Sequence, residues 1–166
     1  MTLYLVVPAL FLAVVLQASA MPHLRVWGVF PDLPLVLVVT WSLLQGPRGG
    51  LVWGLIAGLF VDLLSGTPAG AATLALGAVG FLAGQARRTA IRTQLLLPML
   101  VVVASTLLYD LILLLGMQLS GRTVLWLETL GRIVLPSALL NLLLLIALYF
   151  PLRALHRRVA AQAIGW

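Results

Sequence analysis

The chain has 166 residues, of which 63% are hydrophobic and 8% are charged. Roughly a quarter of the residues of a soluble domain are charged, so these values and a mean hydropathy of +1.17 exclude an ordinary soluble protein and indicate an integral membrane protein. A membrane-spanning helix needs about 20 apolar residues, so the length allows five or six short spans. Any functional site must then be built from the spans and from short loops.

The residue types that the sequence lacks exclude several kinds of functional site. The chain contains no cysteine, and all ten of its basic residues are arginine. The lack of cysteine excludes disulfides and thiolate metal sites, and the lack of lysine excludes a Walker A loop and a Schiff base. We attribute the net charge of +6 to membrane orientation and anionic lipid, not to nucleic acid. We therefore expect no cofactor and no nucleic-acid partner.

Apolar runs punctuated by Pro, Gly and Arg predict six membrane-spanning helices. In chain order they lie at 3–20, 32–45, 50–65, 70–86, 95–119 and 130–151. The second and third runs are short, so they form either two short helices or a re-entrant hairpin. The fold class predicted is all-α, with a single transmembrane domain over residues 1–152 and a short basic cytoplasmic tail over 153–166.

The placement of arginine predicts the orientation, because short basic loops stay on the cytoplasmic side of the membrane. With the N-terminus inside, the outer loops hold three arginines and the inner loops and tail hold seven. Both termini are therefore predicted to be cytoplasmic. The seven inner arginines are Arg48, Arg87, Arg88, Arg92, Arg153, Arg157 and Arg158.

Glycines recur at regular spacing in the third and fourth spans. Gly50, Gly54 and Gly58 are four residues apart, and Gly77 and Gly84 are seven residues apart. Small residues let two backbones approach closely in a membrane, where helix association depends on packing and hydrogen bonds. We interpret these glycines as the contact between the two spans, with contact to another protein as the alternative.

Acidic side chains fall in or beside the spans. Asp32 follows Pro31 at the start of the second span, where a carboxylate can cap the helix. An acid inside a span is costly unless it is paired or faces a cavity, so it marks a candidate site. The predicted polar network consists of Asp32, Asp62, Asp110, Arg132 and Asn141. Within it, we expect Asp62 or Asp110 to hydrogen-bond to the arginine or to the asparagine.

Two catalytic interpretations fail on the residues. Paired intramembrane aspartates are typical of aspartyl proteases, but Asp62 lacks the preceding Gly-x-Gly of that motif. His23 and His156 lie outside the predicted spans, which excludes a Ser–His dyad within the membrane and a metal site built on the two histidines. We therefore predict a protein with no catalytic and no metal site.

The segment 31–88 carries a recognisable series of motifs. They are Pro31-Asp32 before an apolar span, the turn Gly46-Pro47-Arg48-Gly49, a glycine-striped span that closes with Asp62-Leu63-Leu64-Ser65-Gly66, and Gly84 followed by Arg87-Arg88. This series resembles the rod shape-determining MreD family. The resemblance implies a non-enzymatic scaffold of the cell-elongation machinery in the bacterial cytoplasmic membrane. Its implied partners are MreC, RodA, the class B penicillin-binding transpeptidase and, indirectly, MreB.

The family is also similar to the six-helix substrate-binding subunits of energy-coupling-factor transporters, which supplies the alternative function. In the scaffold hypothesis a lateral groove of the bundle receives the membrane helix of MreC, with the glycines of the third span as contact candidates. In the transporter hypothesis the bundle binds a small molecule, and Ala9 and Ala13 give the small-residue spacing by which such subunits dock.

Overall fold

The computed structural model describes residues 2–20, 31–65, 70–87, 96–123 and 126–162, with residues 2–6, 9, 20, 126, 127, 130 and 150–162 described as backbone only. The described residues form six helices, which confirms the predicted all-α bundle. The first five are α1 (Thr2–Ala20), α2 (Leu33–Gln45), α3 (Pro47–Ser65), α4 (Ala71–Gln85) and α5 (Leu96–Leu119), and the sixth is α6 (Leu135–Gln162), preceded by the helical turn Trp126–Thr129 and a π-helical segment Leu130–Val134.

Three helix boundaries differ from the prediction by more than one residue. α6 begins at Leu135 instead of residue 130, because the π-helical segment Leu130–Val134 precedes it. α3 begins at Pro47 instead of residue 50, because proline is well suited to the first turn of a helix. A single residue, Gly46 with φ of 99°, therefore joins α2 to α3. α6 continues to Gln162, well past residue 151, because the arginines, alanines and leucines that follow favour helix despite their lower hydropathy.

α2 lies at the centre of the bundle and contacts each of the other five helices. Nine of its 13 residues are buried. At 1.5 Å per residue the helix is about 20 Å long, which is shorter than the hydrocarbon layer of about 30 Å. α2 is therefore a central helix that is too short to cross a bilayer by itself.

The closest packing in the bundle joins α3 to α4 through the predicted glycines. A Cβ atom built on Gly54 would lie under 3.0 Å from the Leu76 carbonyl group, and one built on Gly50 would lie as close to the Gly80 carbonyl. One built on Gly58 would meet the backbone of Thr73. The two helices thus touch backbone to backbone, and α4 occupies the glycine face of α3.

Gly77 and Gly84 take part in the same packing in different ways. A Cβ on Gly84 would clash with the backbone at Gly46 and Pro47, so the end of α4 rests on the turn between α2 and α3. A Cβ on Gly77 would meet the side chain of Leu55. The residues of α4 that face Gly50, Gly54 and Gly58 are Gly80, Leu76 and Thr73 in turn. Because these lie progressively earlier in α4, the two helices are antiparallel.

Within the described residues, three helical segments are long and apolar enough to cross a membrane: Pro47–Ser65, Leu96–Leu119 and Gly131–Tyr149. The helices α2 and α4 are shorter, and so is the apolar stretch Leu10–Ser19 of α1. Large hydrophobic side chains are exposed along the outer faces, for example Leu100, Leu107, Leu111 and Leu115 on α5. So continuous an apolar exterior would cause aggregation in water and suits contact with lipid.

We predict that the α3–α4 contact does not tolerate even a methyl group. Gly54→Ala should destabilise the bundle by about 1 to 3 kcal/mol, because the helices must move apart to admit the new Cβ. The matched control is Gly131→Ala, where a Cβ has no neighbour within 4 Å. Thermal unfolding of both purified variants in one detergent measures the difference, and equal melting temperatures would contradict the backbone contact.

Candidate functional site: a polar network inside the bundle

Asn141 of α6 links three helices at the depth of the membrane interior. Its Oδ1 accepts a hydrogen bond from the backbone N–H of Asp32 at 2.6 Å, and its Nδ2 donates to the Thr106 hydroxyl of α5 at 3.1 Å. Asn141 is 1% exposed and Thr106 is 1% exposed. Because Asn141 lies near the middle of the apolar stretch Gly131–Tyr149, the start of α2 lies at that depth too.

The first amide groups of α2, which have no partner within the helix, therefore lie in an apolar environment. Side chains accept a hydrogen bond from each of them. The N–H of Leu33 donates to Oε1 of Gln17 in α1 at 2.7 Å. Asp32 is the N-cap, and its Oδ1 accepts from the N–H of Leu35 at 3.1 Å. Pro34 has no N–H to satisfy. The predicted cap at Asp32 is present, but it lies inside the bundle instead of at the membrane surface.

The carboxyl group of Asp32 has two further neighbours. The side chains of Gln17 and Tyr109 both interact with it. Tyr109 is a buried residue of α5, one turn along the helix from Thr106. Residues of α1, α2, α5 and α6 thus converge on the start of α2, and we call this set, Gln17, Asp32, Thr106, Tyr109 and Asn141, the central network.

Asp110 belongs to a second link between α5 and α6. Its Oδ2 accepts a hydrogen bond from the Ser137 hydroxyl at 3.2 Å, and that hydroxyl also lies 2.9 Å from the Val134 carbonyl oxygen. The pairs 106–141 and 110–137 run in opposite directions along the two helices, which makes α5 and α6 antiparallel.

Asp62 has a different role from the one predicted. Its carboxylate accepts hydrogen bonds from the N–H groups of Ala72 and Thr73, at 3.0 and 2.9 Å, and from the Thr73 hydroxyl at 2.5 Å. Asp62 of α3 therefore caps the N-terminus of α4, where free amides and the helix dipole favour a negative charge. This contact explains why an aspartate ends the glycine-striped helix.

The predicted network needs a correction at Arg132. This arginine pairs with Glu128 at 3.6 Å, with 82% of its side chain exposed, and both residues precede α6. The structure gives Asp62 and Asp110 other partners than the arginine or Asn141. A cation on an exposed turn can reach water, so it has no need of a carboxylate inside the bundle.

The opposite end of the bundle is held by Gln45, the last residue of α2. Its Oε1 accepts from the indole N–H of Trp53 at 2.9 Å, and its backbone carbonyl accepts from Nη1 of Arg87 at 3.0 Å. A guanidinium at the C-terminus of a helix satisfies a free carbonyl and complements the helix dipole. Arg48 is exposed beside this turn.

The structure gives no side-chain contacts for the other arginines that predict the orientation. Arg88 and Arg92 lie outside the described residues, whereas Arg153, Arg157 and Arg158 lie on the described backbone of α6. His23 also lies outside the described residues.

Sequence reasoning missed Gln17 and Ser137 as members of the polar contacts. Both are isolated polar residues within apolar runs, and the rule that such side chains form bonds between helices was the available signal. Thr73 carried no signal in the sequence, because its role depends on the neighbouring helix.

The chemistry of these sites is that of helix linkage. Their carboxylates accept hydrogen bonds from N–H and O–H groups of neighbouring helices or from the helix start they cap. Within the described ranges, no three His, Asp or Glu side chains come together in a way that could hold a metal ion.

The fold and the site define a membrane-embedded α-helical bundle whose internal polar groups join its helices. A family model described as rod shape-determining protein MreD matches residues 1–159. The chain belongs to the MreD family and is a rod-shape-determining membrane protein. No curated protein and no solved structure matches it.

We predict that Asn141 stabilises the bundle through its two bonds. Asn141→Leu should cost about 1 to 3 kcal/mol, because it leaves the part-buried N–H of Asp32 without a partner. Gln118→Leu also replaces an amide side chain by leucine, at an exposed position of α5, and should leave stability unchanged. Detergent unfolding curves test this expectation.

The bond between Asn141 and Thr106 can also be removed from the threonine side. Thr106→Val removes the acceptor of the Asn141 amide, and the double variant with Asn141→Leu should be less destabilised than the sum of the two single variants. Strict additivity would show that the two side chains do not interact.

We also predict that Asp62 holds the start of α4. Asp62→Ala should destabilise the protein by about 1 to 2 kcal/mol, as the loss of a helix cap does, and should speed hydrogen exchange at Ala72 and Thr73. Glu128→Ala removes an exposed, weakly paired carboxylate and serves as the control. Unchanged exchange at the start of α4 would contradict the cap.

Proposed function

We propose that this chain is a non-enzymatic scaffold of the bacterial cell-elongation machinery. It binds the membrane helix of MreC and thereby helps to organise RodA and the class B penicillin-binding transpeptidase, with MreB as an indirect partner. The observation that carries the proposal is the family match over residues 1–159, because it covers nearly the whole of the 166-residue chain.

The contacts inside the bundle support a scaffold. The glycine face of α3 is filled by α4, and Asn141 of the central network bonds to the Thr106 hydroxyl and to the backbone N–H of Asp32. A partner helix must then dock on the outer, apolar faces of the bundle. The glycines that the sequence offered as contacts for MreC are already used for packing within the chain.

The proposed location is the cytoplasmic membrane, crossed several times, with both termini on the cytoplasmic side. The support is the distribution of seven arginines against three, together with the antiparallel α5–α6 pair. The pair brings the start of α5 and the end of α6 to the same face, and basic segments on short loops favour the cytoplasmic side.

The test is purification of the tagged full-length chain from its own membrane, combined with photo-crosslinking from outward positions. A crosslinkable residue replaces, one at a time, Leu12 of α1, Leu59 of α3, Leu111 of α5 and Leu143 of α6, all of which are exposed. We expect MreC to crosslink from one of these faces and to co-purify with RodA and the transpeptidase.

The matched control is a crosslinkable residue in place of Val39, which is fully buried and should give no product with MreC. Recovery of an ATPase module or a retained vitamin, with no crosslink to MreC from any outer face, would overturn the scaffold in favour of a transporter subunit.

A further inference from the structure

The end of the bundle where α2 meets α3 carries positive charge without any acidic residue. Arg48 and Arg87 lie there, both exposed. The four acidic residues of the chain lie elsewhere: Asp32 at the other end of α2, Asp62 at the other end of α3, Asp110 in the second half of α5, and Glu128 in the turn before α6. The positive charge at this end is therefore not balanced by an acidic side chain.

Arg87 is held in place at this end. Its Nη1 donates to the Gln45 carbonyl at 3.0 Å, and its side chain passes 3.4 Å from the point where a Cβ on Gly46 would lie. The arginine side chain therefore packs against the turn between α2 and α3 at ordinary van der Waals distance. A guanidinium carries five N–H donors, so one bond to the backbone leaves most of its donors for an anion.

Arg48 stands at the start of the outer face of α3. The residues three, four and seven positions later, Leu51, Val52 and Leu55, are exposed and share its side of the helix. Because helices rise 1.5 Å per residue, the arginine lies within about 6 Å of the first membrane-facing side chains. That distance places its charge beside the lipid headgroups.

We propose that Arg48 and Arg87 bind the phosphate headgroup of an anionic phospholipid whose acyl chains lie along the exposed face of α3. Charge complementarity selects the occupant, since guanidinium groups bind phosphate through paired hydrogen bonds. The position next to the apolar face favours a lipid over an acidic protein. Lipid binding at this site does not require the docking of MreC.

The experiment is a lipid titration of the purified full-length protein in neutral detergent, followed by native mass spectrometry. The probes are phosphatidylglycerol and the zwitterionic phosphatidylcholine. The wild-type chain should bind phosphatidylglycerol more tightly. Arg48→Gln with Arg87→Gln should weaken phosphatidylglycerol binding by about twenty-five-fold, or about fivefold for each arginine, and should leave phosphatidylcholine unchanged.

The matched control is Arg122→Gln with Arg132→Gln, which removes two exposed arginines from the other end of the bundle. It lowers the net charge by the same amount and should retain the lipid preference. Arg48→Gln alone leaves the Arg87–Gln45 bond in place and should still weaken binding about fivefold, so the test survives a folding defect in the double variant.

Three results would overturn the proposal: equal affinity of the wild-type chain for the two lipids, an unchanged preference in the Arg48 and Arg87 variants, or an equal loss in the control variant.

Discussion

The structure depends on the need to satisfy the backbone of a helix that begins inside the membrane. α2 has 13 residues, and its first N–H groups lie at the depth of Asn141, where water is not available to pair with them. Each unpaired amide in hydrocarbon costs several kcal/mol. Gln17, Asp32 and Asn141 remove that cost, and in doing so they fix α1 and α6 against the central helix.

The same constraint is met by different means elsewhere in the bundle. α4 is also short, and its first amides receive the carboxylate of Asp62 from α3. The last carbonyl of α2 receives the guanidinium of Arg87. Hydrogen bonds between side chains and helix ends thus set the register of the helices, while the glycine contact between α3 and α4 sets their separation. Because these contacts lie inside the bundle, its outer faces stay apolar and available to partners, as the proposed scaffold requires.

Much of the fold could be predicted from the sequence because hydropathy and helix punctuation are local properties. Six apolar runs gave six helices, with boundaries within a few residues except at the end of α6. The glycine spacing gave the α3–α4 contact, because small residues at intervals of four place one face in line. The partners of the polar residues could not be predicted. Asp62 is ten residues from Ala72, whereas Asp32 is 109 residues from Asn141, and hydropathy carries no information about such pairs.

The sequence by itself determined that the chain is a membrane protein, how many helices it forms, which face of α3 is small, and which family it belongs to. Only the tertiary structure decided that α2 is central, that Asp32 lies inside the bundle, and that Arg132 remains outside the network. The reason is physical: a buried polar group must find a partner wherever packing brings one within about 3 Å. Which groups come that close is set by how the helices assemble and not by their order along the chain.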